Sequence, residues 1–67
     1  MPELRTTLRE ARTAAGLTQA QLAEKIGVSR KTINTVENGV FIPSTVLALK
    51  LARALGMTVE RLFALPE

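Results

Sequence analysis

The sequence predicts an all-α fold, a compact bundle of five helices that forms a single domain over residues 1–67. Three observations point to it. Apolar residues make up 46% of the chain and recur at intervals of three and four, which is the spacing of a helix face. Four glycines recur along the chain and each precedes a serine or threonine, a pattern in which glycine ends one helix and the hydroxyl begins the next. No long segment alternates apolar and polar residues, so strands are not expected.

The first predicted helix covers about residues 3–15, and the second covers about residues 19–26. An apolar stripe along the first comprises Leu4, Leu8, Ala11 and Ala15. The second begins after Thr18, which forms a capping box with Gln21, and it ends before Gly27. These signals fix the second helix at both of its ends.

Three more helices are predicted, at about residues 30–38, 45–55 and 59–64. Each begins after a hydroxyl residue that accepts a hydrogen bond from the first turn: Ser29, Ser44 and Thr58. The segment 40–42 is Val-Phe-Ile and favours extended backbone. Because the segment has only three residues, it predicts an extended loop and not a strand.

Composition excludes most kinds of metal site, disulfide and catalytic site. The chain has no cysteine and no histidine, and every acid is a glutamate, so disulfides, zinc sites, calcium loops and Ser-His-Asp catalysis are not expected. Two phenylalanines are the only aromatic residues, which argues against a base-stacking platform for single strands. A lone catalytic glutamate or lysine would survive this exclusion, but an enzyme, a cofactor and a metal are not expected. A small-molecule effector is not expected either, because 67 residues leave no room for an effector-sensing domain.

The net charge of +3 permits an anionic partner without demanding one. No apolar run is long enough to span a membrane, and the first residues lack the apolar core of a signal peptide. The sequence thus predicts a soluble, cytoplasmic protein without a membrane partner.

Two charged residues lie on faces that should be buried. Arg12 lies on the apolar stripe of the first helix, and Glu37 follows Ile33 by one helical turn on the third. Because a buried unpaired charge is costly, we expect the two to pair and to join these helices. The alternative is that each lies at the edge of the core with its charged end in water.

The outer face of the third helix is polar and basic. With Ile33, Val36 and Glu37 inward at about 100° per residue, the outer residues match the hydrogen-bonding groups and thymine methyls of the DNA major groove. These residues are Arg30, Lys31, Thr32, Asn34, Thr35 and Asn38. The alternative is an ordinary solvated helix face.

The connection between the second and third helices favours the DNA interpretation. A turn over residues 27–29 is too short for antiparallel packing, so the helices cross steeply, as in a helix-turn-helix. Ala23 fits that crossing. Thr18 and Gln19 at the start of the second helix suit a DNA phosphate. Thr18 also serves as a helix cap, whereas Gln19 has no such structural role to explain it.

Three segments carry a resemblance to a known family: 17–23 (LTQAQLA), 27–33 (GVSRKTI) and 36–39 (VENG). Together they resemble the phage repressor and Cro-type (Xre-like) helix-turn-helix family, whose fold is lambda repressor-like. The likeness extends over roughly residues 4–63 and is greatest for small single-domain members such as the cytolysin-type repressors.

The resemblance implies roles for individual residues. Gln19 matches a phosphate ligand that also braces the recognition helix, Asn38 matches a second phosphate ligand, and Arg12 with Glu37 matches a buried ion pair. Base-reading positions match Arg30, Lys31, Thr32 and Thr35, with Asn34 as a further candidate. The segment 40–42 departs from the family, because its usual basic or polar residues are absent. Ser44 and backbone amides remain there as candidates for a phosphate contact.

Affinity considerations predict a homodimer. Two exposed cations on one reading helix bind DNA weakly, whereas a twofold dimer places two such helices about 34 Å apart, one turn of DNA. Candidate interface residues are Met57, Val59, Leu65 and Pro66, with Leu49 and Phe41 as weaker candidates. The alternative is that Val59 belongs to the core and that the end of the chain around Leu65 is disordered.

The predicted function is a sequence-specific double-stranded DNA-binding transcriptional regulator, a repressor that binds a pseudo-palindromic operator as a homodimer. The alternative is an antitoxin or another protein-interaction module with the same fold.

Overall fold

Five helices and two short strands make up the structure, a computed structural model that describes residues 3–67. The elements in chain order are β1 (Arg5–Thr6), α1 (Leu8–Ala14), α2 (Gln19–Ile26), α3 (Arg30–Glu37), α4 (Thr45–Leu55), α5 (Val59–Leu62) and β2 (Phe63–Ala64). The predicted helical bundle is thus confirmed.

Hydroxyl side chains begin four of the helices, at the positions predicted. Each accepts a hydrogen bond from the backbone N–H three residues later, and the residues are Thr18, Ser29, Ser44 and Thr58. Thr18 and Gln21 form the predicted capping box. Gly27 and Gly56 end α2 and α4 with φ of 74° and 64°, in the left-handed region that glycine adopts at little cost. Local signals therefore explain both ends of α2 and α4.

The first helix begins at Leu8 and not near residue 3, and the expectation of no strands was wrong. β1 pairs with β2 in antiparallel register, Arg5 opposite Ala64 and Thr6 opposite Phe63. The backbone N–H of Thr7 donates to the Leu62 carbonyl over 2.9 Å. These bonds join residues more than fifty positions apart, so no local pattern could reveal them.

Thr6 also explains where α1 begins, because its Oγ1 accepts a hydrogen bond from the backbone N–H of Leu8 over 3.1 Å. Leu4 lies outside the helix but still packs against the core. At the other end of the chain, α5 ends at Leu62, since Phe63 is extended with φ −131° and ψ 139°.

One hydrophobic core joins all five helices. The side chains at its centre are fully buried: Leu8, Leu22, Ile33, Leu51 and Leu62, one from each helix. Within residues 3–67, no helix is long and apolar enough to cross a bilayer. Segment 40–42 joins α3 to α4 without strand structure, as expected.

Candidate nucleic-acid interface

α2 and α3 form the helix-turn-helix unit. After α2 ends, the Val28 N–H donates to the Ala23 carbonyl over 2.9 Å, which closes the turn. Ser29 then caps α3. Ala23 is 3% exposed, and a side chain of this size lets the two helices approach closely. The turn therefore holds α3 in a fixed orientation relative to α2.

The Glu37 carboxylate, on α3, is the buried centre of a polar network. Its side chain is 0% exposed. Arg12 donates from Nε to Oε2 over 2.5 Å and from Nη2 to Oε1 over 3.3 Å. Gln19 Nε2 donates to Oε1 over 3.0 Å, and Arg9 Nε donates to the same oxygen over 3.3 Å. The structure thus brings together the two charges expected to pair, and one carboxylate joins α1, α2 and α3.

Burial raises the pKa of Glu37, but the hydrogen bonds from Arg12, Gln19 and Arg9 and the charge of Arg12 outweigh it. The pKa therefore lies below its ordinary value. The hydrogen bond to Glu37 raises the pKa of Arg12 against the opposing effect of burial. Both groups are charged at neutral pH, and the charge of Glu37 is compensated within the protein.

Gln19 has a structural role that the sequence did not reveal. Its side chain is half-buried and donates to Glu37, so it braces α3 from the start of α2. The expectation that Gln19 lacks a structural role is therefore wrong. Bracing of the recognition helix was among the roles that the family resemblance implied.

Arg9 is the member of the network that sequence reasoning missed. Its Nη2 donates to Asn38 Oδ1 over 2.8 Å, and Asn38 Nδ2 donates to the Asn34 carbonyl over 2.9 Å. Arg9 precedes Arg12 by three residues, a spacing that places two side chains side by side on a helix. That spacing was the available signal.

The candidate base-reading residues line the rest of α3. Arg30, Lys31 and Asn34 are exposed, whereas Thr32 and Thr35 are half-buried. The Thr32 hydroxyl shares a hydrogen bond of 2.9 Å with Ser29. The Thr35 hydroxyl is 3.0 Å from the carbonyl oxygens of Lys31 and Thr32, which occupy its one proton. Thr35 retains an acceptor oxygen and a methyl group.

Two of the candidate phosphate ligands are helix caps. Thr18 and Ser44 accept hydrogen bonds from the backbone N–H groups of Gln21 and Leu47. A hydroxyl that accepts one bond still carries a proton. Both residues are exposed, so each can cap its helix and donate to a phosphate oxygen.

The candidate dimer residues fall into two groups. Met57 and Val59 are half-buried and pack against the core, whereas Leu65 and Pro66 are exposed. A shallow groove beside Val59 is lined mainly by apolar side chains. Further exposed apolar residues are Val40, Phe41, Ile42, Val46 and Leu49. The two weaker interface candidates, Phe41 and Leu49, are therefore exposed.

Comparison with known proteins gives concordant results. The sequence model described as "Helix-turn-helix" (HTH_3) matches residues 8–62. An uncharacterised HTH-type transcriptional regulator of Methanothermobacter thermautotrophicus is 49% identical over 65 residues, which is 96% of this chain and 94% of that protein. YgzD of Bacillus subtilis, another HTH-type transcriptional regulator, is 38% identical over 64 residues, 96% of this chain and 97% of its own.

Solved structures show the same fold. The restriction-modification controller protein C.AhdI from Aeromonas hydrophila superposes with a TM-score of 0.76 at 44% identity, over 81% of this chain and 78% of that chain. The clp gene regulator ClgR from Corynebacterium glutamicum superposes with a TM-score of 0.74 at 35% identity, over 78% of this chain and 55% of that chain.

These relatives are regulators and not enzymes, in agreement with the composition. The buried Glu37 network, the cap-and-glycine turn and the matched residues 8–62 all lead to one conclusion. The chain belongs to the helix-turn-helix (HTH_3) family, the Xre-like class of DNA-binding transcriptional regulators.

Proposed function

We propose that the chain is a sequence-specific repressor that binds a pseudo-palindromic operator in double-stranded DNA as a homodimer. The observation that carries the proposal is the distribution of charge and exposure along α3. Its single acid, Glu37, is buried and compensated, while Arg30, Lys31 and Asn34 are exposed. The accessible surface of α3 thus presents positive charge and hydrogen-bonding groups to a partner.

These side chains have the chemistry for reading bases in the major groove. Arg30 and Lys31 donate to the acceptors of guanine, and Asn34 can both donate to and accept from adenine. Because the hydroxyl proton of Thr35 is already engaged, Thr35 offers its methyl to thymine or its oxygen to a donor. Thr32 makes the same kinds of contact at the edge of this face.

Phosphate contacts at both ends of the unit fix the register of α3 on the duplex. Thr18 at the start of α2 and Ser44 at the start of α4 donate their free hydroxyl protons. Backbone N–H groups at these helix starts add to the contact. Gln19 keeps one amide hydrogen for a phosphate while the other braces Glu37, and Asn38 does the same beside Asn34.

A homodimer supplies the affinity that one domain lacks. Burial of the exposed apolar residues against a second copy removes them from water and aligns two recognition helices one DNA turn apart. Met57, Val59, Leu65 and Pro66 are the proposed contacts, with Leu49 and Phe41 at the margin. A protein bound in this way represses by occupying the operator, and it acts in the cytoplasm, where the DNA is accessible.

Selection from a random pool of duplexes, followed by polarisation titration of the selected site, tests the proposal. We expect the selected site to be pseudo-palindromic. The variant Lys31→Ala is expected to lose about 1–3 kcal/mol of discrimination at one base pair of each half-site. Lys50→Ala is the matched control, because Lys50 is an exposed lysine on α4, away from the reading face.

The outcomes separate the proposal from its alternative. Weaker operator binding by Lys31→Ala, with reduced discrimination at that base pair and an unchanged circular dichroism spectrum and dimer mass, supports it. No selected site, together with salt-independent or absent binding to any duplex, contradicts it. The exposed apolar residues would then favour the antitoxin or protein-interaction alternative.

A further inference from the structure

The charged side chains of the network around Glu37 carry a net positive charge. It contains two arginines, Arg9 and Arg12, and one carboxylate, so two positive charges and one negative leave a net charge of +1. The Glu37 side chain is 0% exposed, Arg12 is 14% exposed and Arg9 is 53% exposed. The surplus positive charge therefore reaches solvent at Arg9.

Arg9 has N–H donors that Glu37 and Asn38 do not use. A guanidinium carries five N–H groups and no acceptor. One group on Nε is directed to Glu37 and one on Nη2 to Asn38. Three N–H groups, two on Nη1 and one on Nη2, remain for another acceptor.

The contact with Asn38 also fixes the orientation of that amide. Because arginine can only donate, the oxygen of Asn38 has to face it, and the distance is 2.8 Å. Asn38 Nδ2 then donates one hydrogen to the Asn34 carbonyl, and the second hydrogen remains for another acceptor. Charge and donors are thus concentrated at one exposed place where α1 meets the end of α3.

We propose that Arg9 and Asn38 form a composite phosphate-binding site on DNA, in which Arg9 supplies the charge and orients the amide. This inference rests on the proposed function, and it adds a residue from α1 to the interface. It also accounts for the missing cations in segment 40–42. The charge comes instead from Arg9, a residue held in place by the same carboxylate that anchors α3.

Salt dependence of DNA binding tests the proposal, because each cationic phosphate contact contributes about 0.9 to the slope of log K against log [salt]. Arg9→Ala removes one contact per protomer, so the slope is expected to fall by about 0.9 for one protomer or about 1.8 for a dimer. Between 50 and 200 mM salt, the ratio of wild-type to variant affinity then narrows about 3.5-fold or about 12-fold, respectively. The loss is expected to be equal on operator and random duplexes, since phosphates carry no sequence information.

Three further variants complete the design. Arg9→Lys keeps the charge but cannot hold Glu37 and Asn38 together, so it is expected to keep the slope and lose affinity. Asn38→Ala is expected to lower affinity with an unchanged slope, and its effect is expected to be smaller in the Arg9→Ala background. Arg53→Ala, which removes an exposed arginine on α4, is the control expected to change neither quantity.

Urea titrations of each variant show that it is folded under the binding conditions. If Arg9 is only structural, Arg9→Ala lowers stability and affinity but leaves the slope at the wild-type value, and the inference is overturned while the DNA-binding function stands. If the wild-type protein binds no duplex, the proposed function fails and this inference fails with it.

Discussion

Removing the Arg12–Glu37 ion pair one partner at a time tests how the recognition helix is anchored. The variants are Arg12→Ala, Glu37→Ala and the double substitution. Glu37→Ala leaves Arg12, 14% exposed, with the Leu17 carbonyl at 2.8 Å as its remaining acceptor in this network. Arg12→Ala leaves a buried carboxylate that keeps Gln19 at 3.0 Å and Arg9 at 3.3 Å.

The expected sizes follow from these remaining partners. Loss of one partner of a buried pair costs about 3–5 kcal/mol, and we expect Glu37→Ala in that range. Arg12→Ala is expected to cost about 2–3 kcal/mol, because two charged or polar donors still compensate the carboxylate. The double variant removes both charges, so its loss is expected to be about 2 kcal/mol smaller than the sum. A chain of 67 residues has roughly 3–10 kcal/mol in total, so these effects are large.

Urea unfolding followed by circular dichroism measures the cycle. A stabilising osmolyte at one fixed concentration in all samples keeps a folded baseline for the weakest variant. Glu24→Ala, the loss of an exposed acid on α2, is the control and is expected to change stability by less than about 0.5 kcal/mol. Losses that add to within about 0.5 kcal/mol in the double variant would refute the pairing.

Three further predictions concern stability. Since the pKa of Glu37 is lowered on folding, the ionised carboxylate stabilises the fold above about pH 4, and this stabilisation is lost as the pH falls through the folded-state pKa. The difference in thermal midpoint between wild type and Glu37→Gln should therefore narrow as the pH falls below about 4. A difference that stays constant down to about pH 2 would contradict this. Gly27→Ala is expected to cost about 1–2 kcal/mol through backbone strain alone, because φ is +74° and no atom beyond the two neighbouring residues lies within 4 Å of an added Cβ. A neutral effect in a urea titration would count against it. Leu51→Ala, at a side chain with 0% exposure, should cost about 2–5 kcal/mol, whereas Lys50→Ala, at its exposed neighbour on α4, should stay within about 0.5 kcal/mol. Equal losses of stability by thermal melting would contradict the assigned core.

Helix ends with local signals were predicted well. α2 and α4 begin after Thr18 and Ser44 and end at glycines in the left-handed region, so a few neighbouring residues determine each boundary. The start of α1 has no such signal within the helix. Leu4 fits the helical period by position, but it lies before β1, and the pairing of Arg5 and Thr6 with β2 keeps this part of the chain out of the helix. That pairing depends on the opposite end of the chain, which a local pattern does not register.

In the candidate site too, residues with a local sequence signal were predicted, and those defined by contacts between distant elements were not. Arg12 and Glu37 were recognisable because each is a charge on an apolar stripe, an inconsistency that calls for a partner. Only its spacing of three residues from Arg12 distinguished Arg9 from any solvated arginine. Its contacts with Glu37 and Asn38 depend on how α1 and α3 cross, which the sequence periodicity does not specify.

The antiparallel pairing of Arg5 with Ala64 has a topological consequence. Paired residues in such a ladder lie about 5 Å apart, so the two ends of the domain emerge together, and α5 separates β2 from α4. A short linker between these ends would allow a circular permutant to be opened in the exposed loop at residues 40–42. The same geometry allows the domain to be inserted into a loop of another protein, because both ends of that loop would join the domain at one place.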